Sequence, residues 1–541
     1  MAVQTAAPPY WPRSVHMPAK MFSLSPRLAR SRPRIRAARA LGRVLVAALV
    51  LLAWHLLGSG TQTGRLILSS PVYILRELWI GADLFVMHGV ATIRVALTGF
   101  ALGCGAAFIG ALLFCLVPWL HTVFRGVNIA IYTMPAIVIG PLLVLFFKGD
   151  WPQTILAALM VYFPAMSTML LGLKEVDRRL SDLIEVYGGG EAELMRYVRL
   201  RGSLPQIFAG LRVAAPIAVL GAVLGEFGSG TRFGFGSFLL STLPQANPAR
   251  LWGIAISTSA IALCGYLVFL LPAVWLQRTT QSVTLAPALH TDPPAGGRWG
   301  RAGFGLIALL LPFVLWALLI KGADLPPIIA PTPIETIRFI FTENAYPIWK
   351  ALGVTLPMAA LGLIAGLAFS FVLAALSILA PAVARALVPV AMLVQNTPLV
   401  ALVPFVVLAF GRGITASVFL AMLVVFFPAY VLLNQGFAAI PAAARDLVSV
   451  YGGSRWQLLW RIAVPYSISY FFAAAKMVAP MALLGVMVAE WLVSGVGLGN
   501  LLNISRPALD YETIWAGALV SILISAGTYE LVGMLERKTR R

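Results

Sequence analysis

The chain has 541 residues, of which 60% are hydrophobic and only 11% charged. An ordinary soluble domain carries roughly 25% charged residues, so this composition excludes a soluble enzyme and points into a lipid bilayer. The net charge of +20 raises a nucleic-acid partner, which the placement of the basic residues argues against.

Residues 1–39 are rich in Arg and Pro (Arg27, Arg30, Arg32, Arg34, Arg36, Arg39), lack apolar periodicity and read as a disordered cytoplasmic arm. They resemble the n-region of a signal peptide. The apolar stretch after Leu41 is longer than an h-region and no small-residue cleavage site follows, so a retained first membrane helix is expected. Crossing about 30 Å of hydrocarbon takes roughly 20 helical residues. Apolar runs that meet this lie at 41–58, 95–120, 127–147, 151–173, 206–227 and 251–277, then at 304–320, 351–384, 386–411, 413–444, 467–491 and 513–529. The expectation is an all-α polytopic membrane protein with about twelve transmembrane helices, six in each half. A first transmembrane domain is expected over 40–277, a polar, Pro- and Gly-rich linker over 278–302, and a second domain over 303–541.

The halves are copies of one another. Asp182, Tyr187, Gly188, Ser203, Phe208 and Pro216 recur 264 positions later as Asp446, Tyr451, Gly452, Ser467, Phe472 and Pro480. A step that long is a duplicated domain rather than a solenoid repeat. Phe163-Pro164 recurs as Phe427-Pro428, Glu226 as Glu490, and Gly234-Phe235-Gly236 as Gly497-Leu498-Gly499 with one residue deleted. An even number of crossings per half gives both repeats the same orientation, related by an axis along the membrane normal. Basic residues flank the repeated blocks (Lys174, Arg196, Arg199, Arg201, then Arg445, Arg455, Arg461), the linker and the tail. Placing them all in the cytoplasm, with both termini, satisfies the positive-inside rule and accounts for the charge without nucleic acid.

The repeated block is polar and lies between apolar runs. Over 182–188 and beyond it reads as a short helix, a glycine turn (Gly188-Gly189 and Gly452-Gly453) and a second short amphipathic helix. One such segment could lie at the membrane interface. Two at equivalent places on the basic side favour the docking of a cytoplasmic partner.

This block resembles the EAA loop of ABC-importer permeases, whose pattern is EAA, three residues, Gly, nine residues, then I-x-L-P. Gly452 is followed at that interval by Ile462-Ala463-Val464-Pro465, whereas in the first half Arg201 stands at the proline position. Asp182 and Asp446 keep the acid of the EAA element without its small residues. PAIVIGPLLVLFF, TPLVALVPFVVLAFG, YGGS and AEWLVSGVGLGNLL further resemble the nitrate, sulfonate and taurine group of these permeases. The resemblance implies alternating access driven by two ATP-binding cassette subunits, with ATP and magnesium used there. A periplasmic or surface-tethered binding protein would deliver a small solute, such as a sulfonate, taurine or nitrate, across the cell (inner) membrane. Permeases for pyrimidine or thiamine precursors and for riboflavin share much of the pattern, and an ion-coupled secondary transporter is the competing class. The implied coupling residues are Asp182, Tyr187, Gly188, Gly189, Asp446, Tyr451, Gly452, Gly453, Ile462 and Pro465. No G-x-x-x-x-G-K-[ST] loop occurs in the chain, so no ATP site or other cofactor is expected in it. Cys104, Cys115 and Cys264 fall in apolar runs without metal-ligand spacing and read as buried hydrophobes, with no metal site.

Charged and polar groups at membrane depth are the pathway candidates: Arg94, Gln395, Asn396, Glu226 and Glu490. Arg212 and Lys476 also occupy matched positions. The two glutamates lie fourteen residues beyond them, near the far end of the same helix, where a loop contact competes with solute binding. His55 reads as a packing histidine.

Overall fold

The computed structural model describes residues 48–49, 51–60, 69–174, 178–245, 247–277, 298–396 and 399–539. All regular structure among them is helical. Hydrocarbon demands this of any chain that does not close a barrel, because a helix satisfies its own backbone polar groups. The arm expected over 1–39 and most of the linker expected over 278–302 lie outside the described residues.

Among the described residues, nine helices are long and apolar enough to cross a membrane. The first half contributes α1 (Ala82–Leu116), α2 (Trp151–Lys174), α3 (Glu191–Ser229) and α4 (Pro248–Leu270). The second contributes α5 (Gly305–Ala323), α6 (Glu343–Leu379), α7 (Ile414–Ala438), α8 (Arg455–Ser494) and α9 (Tyr511–Thr539). A stretch of helix at 51–60 precedes α1, in the first of the expected apolar runs.

Small residues let these helices touch backbone to backbone, the usual basis of helix association in lipid, where burying apolar surface gains little. A Cβ on Gly99 of α1 would sit 2.6 Å from the Ala157 Cβ, and one on Gly103 would sit 2.6 Å from the Ala158 carbonyl oxygen. On α6, Gly362 and Gly366 press in the same way on Ala421 and Val425 of α7. Both series rise together along the two helices, so α1 runs parallel to α2 and α6 parallel to α7. On α3, Gly221 lies on Ala157 and Gly225 on Gln153, which makes α3 antiparallel to α2. Gly485 on Ala421 and Gly436 on Tyr470 do the same for α8 and α7.

Parallel helices that follow one another in the chain require a return across the membrane between them. The sequence places single spans there, over 127–147 and 386–411, and the structure corrects the first. Arg125–Thr133 and Val138–Phe146 meet at 111°. The bend falls at Met134, held extended at ψ 121°, because the ring of Pro135 bars the preceding residue from helical geometry. In the second half the return comprises Pro381–Asn396 and Leu399–Phe410, with Thr397 and Pro398 outside the described residues. An unbroken apolar run conceals such a break, since hydropathy does not register a change of direction.

Like ends of the two repeats meet. Arg125, on the polar-block side of the first half, donates to Glu530 Oε1 at 2.6 Å near the end of α9. Phe227 and Trp491, near the far ends of α3 and α8, make an edge-to-face contact with centroids 5.5 Å apart. The repeats therefore share one orientation. The return segments also reach the other half. Val138 and Leu142 of the first return pack in a core with Val486, Met487, Leu498 and Trp515 of the second half. Val403, Phe405 and Val406 pack in a core with Phe238, Ile254 and neighbours of the first. Each return segment is also packed against its own half: Ala136 and Ile139 lie in one core with Leu156 and Val223, and Gly140 presses on Gly228.

This topology predicts the outcome of labelling single cysteines. Cysteines at Val186 and Val450, both more than 80% exposed, should react from one face of the membrane. Cysteines at Lys148 and Leu509, at the opposite ends of the helices, should react from the other. Impermeant maleimide on intact cells and on inverted vesicles reads this out, and a mixed pattern within either pair would overturn the shared orientation.

Candidate functional site

The first polar block begins with the short helix Arg178–Val186 and the second with Ala442–Val450. Each stops in the same way. Gly188 (φ 73°) and Gly452 (φ 67°) adopt left-handed backbone that a side chain resists. Gly188 N–H donates to the Glu185 carbonyl and Gly189 N–H to the Ile184 carbonyl, each at 2.9 Å. In the second half Gly452 donates to Ser449 at 3.1 Å and Gly453 to Val448 at 2.8 Å. These paired bonds form a Schellman stop, which satisfies carbonyls that the helix end leaves open. Gly189 and Gly453 are required too, since a Cβ there would strike Ile184 and Val448.

A helix restarts at once. Ser454 accepts from Gln457 N–H, and Gln457 Oε1 accepts from Ser454 N–H at 2.9 Å, closing a capping box. Gly190 occupies the Ser454 position in the first half, so only the return bond remains, from Gly190 N–H to Glu193 Oε2 at 2.9 Å. The sequence suggests a second short, separate helix here; the structure corrects this. The restarted helices are the first turns of α3 and α8, joined to them through π-helical turns at Leu194–Arg199 and Leu459–Ala463. Ile462 is half-buried on this turn and Pro465 is exposed just beyond it. Arg201, at the proline position of the first half, leaves the π-turn in place, so the proline does not cause it.

Each block presents an exposed Val-Tyr tip. Val186 and Tyr187 are 82% and 84% exposed, Val450 and Tyr451 81% and 83%. Asp182 and Asp446 are exposed on the same short helices. Arginines seat the blocks against the ends of other helices. Arg455 Nη1 donates to the Leu379 carbonyl at the end of α6 at 3.2 Å, and Arg199, paired with Glu191 at 3.0 Å, reaches Cys115 near the end of α1.

At the far ends of α3 and α8 a second matched arrangement appears. Glu226 and Glu490 are fully buried. Glu226 Oε1 accepts from Thr92 Oγ1 at 2.8 Å and Oε2 from Gly236 N–H at 2.7 Å, while Thr92 accepts from Phe235 N–H at 2.8 Å. Glu490 Oε1 accepts from Thr355 at 2.6 Å and Oε2 from Gly499 N–H at 2.8 Å, with Leu498 N–H on Thr355 at 2.9 Å. Each carboxylate thus latches the return loop to the helix and to α1 or α6. A Cβ on Gly234 or Gly497 would collide with the carboxylate itself, which explains the repeated G-x-G. The one-residue deletion is also resolved. Residues Glu490–Ser494 form a π-helical turn that absorbs an extra residue, and the loop from Gly495 to Gly497 is shorter than the loop from Gly230 to Gly234.

The other pathway candidates lie apart from this latch. Arg94 is ion-paired with Asp150, both side chains about half exposed or more. Gln395 and Asn396 end the helix Pro381–Asn396, and their side chains lie outside the described residues. His55 shares a 2.7 Å hydrogen bond with Ser70, which caps the next helix. Sequence reasoning missed Thr92 and Thr355, the Phe227–Trp491 contact, and Arg506. The first four fall at the duplication step and were findable from it. Arg506 has no counterpart. It lines a cavity with Gly228 and Trp491 between the halves and has no acidic partner among the described residues.

Comparison with known families decides the class. The profile of the family described as "Binding-protein-dependent transport system inner membrane component" matches twice, at residues 99–281 and 372–541. The chain belongs to this family. It is a multi-pass permease component of an ABC importer for a small solute, and it carries the family domain twice. A probable ABC transporter permease of Haemophilus influenzae is 27% identical over 224 residues, 41% of this chain and 90% of the relative. The formylaminopyrimidine transport permease of Halalkalibacterium halodurans is 28% identical over 237 residues, 43% of this chain and 92% of its own. The riboflavin transport permease of Chloroflexus aurantiacus is 33% identical over 153 residues, 28% and 57% of the respective chains. Permeases named for aliphatic sulfonates, taurine and nitrate match at 24% identity. The first two relatives thus correspond in length to one half of this permease.

The latch predicts that Thr355→Val destabilises the protein. It leaves Glu490 Oε1 and Leu498 N–H each without its buried partner, at a cost of about 1–3 kcal/mol apiece, while Gly499 N–H stays on Oε2. Thermal unfolding in detergent should show the loss, with Thr92→Val giving a similar one. Unchanged midpoints for both would overturn the structural role given to the carboxylates.

Proposed function

We propose that one copy of this chain supplies both transmembrane domains of an importer, with one ATP-binding cassette subunit docked on each polar block. ATP and magnesium are used in those subunits. The blocks and both chain ends face the cytoplasm of a cell whose inner membrane holds the protein, and a periplasmic or surface-tethered binding protein delivers solute to the opposite face. The observation that carries this reading is the twofold occurrence of an exposed Val-Tyr tip. Each is set by a Schellman glycine and is continuous through a π-turn with the helix that reaches the axis.

The mechanism follows from that continuity. A helix of 39 or 40 residues is about 60 Å long at 1.5 Å per residue. Displacing a block as the ATPases close would rotate the whole of α3 or α8 as a rigid body. Phe227 and Trp491 sit directly after the latching glutamates, so that rotation would part or rejoin the aromatic contact at the axis. The latches would carry the outer loops along with their helices. Asp182, Tyr187, Gly188, Gly189, Asp446, Tyr451, Gly452, Gly453, Ile462 and Pro465 are assigned to coupling. Glu226 and Glu490 are assigned to positioning the outer loops.

A small anion is the solute class this reading favours. Arg506 stands beside the axis without an acidic partner among the described residues, and relatives named for sulfonates, taurine and nitrate share the fold-defining domain.

A β-branched residue at a left-handed glycine strains the turn by about 1–3 kcal/mol. Gly452→Val should therefore cut both uptake and ATPase capture while the protein stays folded in the membrane, and Gly188→Val should do the same. Reconstituted uptake with the cognate ATPase, alongside pull-down at matched expression, reads this out. Normal capture and uptake in both variants would remove the blocks from coupling.

A further inference from the structure

Lys476 and Arg212 occupy matched positions 264 residues apart and each lies over a tyrosine, yet the side chains across from them differ. Lys476 points Nζ over the Tyr529 ring, 4.6 Å from its centroid, and Gly533 leaves the room it needs, since a Cβ there would lie 3.3 Å from Nζ. Lys476 and Tyr529 of the second half face His121, Arg125, Asn128 and Ser167 of the first across one cavity, and the rest of its wall is apolar. The cavity holds about 30 Å³, the room of about two or three waters. Its walls lie one or two turns inside Lys174, toward the polar-block end of the molecule, and it is built jointly by both halves.

Glu530 and Glu536 are the carboxylates near Lys476, against the cations Lys476, Arg125 and Arg537, so positive charge stays in excess. Arg125 donates to Glu530 at 2.6 Å, and Arg537 lies 3.6 Å from the same carboxylate. Lys476 makes no ion pair among the described residues. Asn128 is 3% exposed; its Oδ1 accepts from Tyr162 at 3.1 Å, and its Nδ2 is buried without a partner. An orphaned amide donor on the wall of a cavity with surplus positive charge calls for an acceptor. Burial, with Lys174 and Arg125 nearby, lowers the His121 pKa to about 4. Its ring is therefore neutral at physiological pH and offers one N–H rather than a further charge.

We propose that this cavity binds the oxyanion group of a small solute or a lipid phosphate, held by Lys476 and Asn128 with Arg125 behind them. The site deepens the anion reading above by placing an oxyanion stop near the release end of the route. It exists once per chain. The positions matched to Asn128 and Ser167 are Ala391 and Val431, which carry no polar side chain. Tyr529 does have a counterpart, Tyr266, on which Arg212 stacks at 5.3 Å, so the charge over a ring recurs and the polar wall opposite it does not.

The test uses the purified full chain in phosphatidylcholine nanodiscs, titrated with trifluoromethanesulfonate and followed by ¹⁹F line broadening. Saturable binding is expected. Lys476→Met should weaken it by about tenfold or more, the loss of one charged hydrogen bond, and Asn128→Leu should weaken it measurably. Lys476→Arg should restore most of the affinity, and Arg212→Gln should leave it unchanged. Monodispersity and thermal midpoint confirm that each variant is folded. Repeating the titration with phosphatidylglycerol separates the sources: competition identifies a lipid phosphate, and undiminished binding identifies a free solute. Absence of saturable broadening, or an equal effect of the Lys476 and Arg212 variants, overturns the site. Failure of the chain to couple to any ATPase would instead overturn the importer reading and leave this site standing.

Discussion

A carboxylate buried at the end of a membrane-long helix is the constraint on which the rest of this structure depends. Taking Glu226 or Glu490 out of water is costly unless its lone pairs are met by donors of good geometry. Each finds a threonine hydroxyl from a neighbouring helix and a backbone N–H from the loop that follows. The cost of burial thereby becomes specificity. The loop has one place to go, α1 and α6 have one register against α3 and α8, and the glycines beside the carboxylates have no substitute. Phe227 and Trp491 come next in the chain, so the aromatic contact between the halves is placed by the same bonds.

From that anchor the long helices run back to the polar blocks as continuous helix, although Pro216 and Pro480 each remove one backbone hydrogen bond on the way. The π-turns near their starts widen the helix locally, yet the backbone bonding continues through them. Stiffness here comes from close packing rather than from hydrophobic burial, which gains little in lipid. Gly221 on Ala157 and Gly485 on Ala421 put backbone against backbone, so a helix that moves takes its neighbour with it. The return helices pack on both halves at once, and the two cannot separate without unpacking those shared cores.

Much of this was legible in the sequence, and what was not had physical reasons. The duplication, the glycine turns at Gly188 and Gly452 and the G-x-G after each glutamate are local, and local chemistry can be read one residue at a time. Competition between a loop contact and a solute contact at the glutamates was legible as well, because a helical spacing places them at a helix end. The bend at Met134 was hidden because Pro135 lies inside an unbroken apolar run, and apolar composition reports burial without direction. The second short helix of each block was misjudged because an amphipathic turn reads the same whether it stops or runs on into a span. The sharing of each return segment between the halves was out of reach, since periodicity shows that a face is buried and not which half buries it.

The two halves have diverged unevenly, and the pattern of divergence has a mechanical sense. Where motion must be transmitted to both sides at once, at the Schellman stops and at the glutamate latches, the copies agree in geometry even when the letters differ, as at Arg201 and Pro465. Where a single object must sit on the axis, strict symmetry is a handicap, because a twofold site offers a small asymmetric ligand two half-sites rather than one complete one. In a permease assembled from two identical chains, any residue changed in one wall changes in both. Fusion removes that restriction. Arg506 has no counterpart, Ser167 faces a partner position held by Val431, and Asn128 corresponds to Ala391. One chain can therefore keep the transmission symmetric and let the binding walls differ.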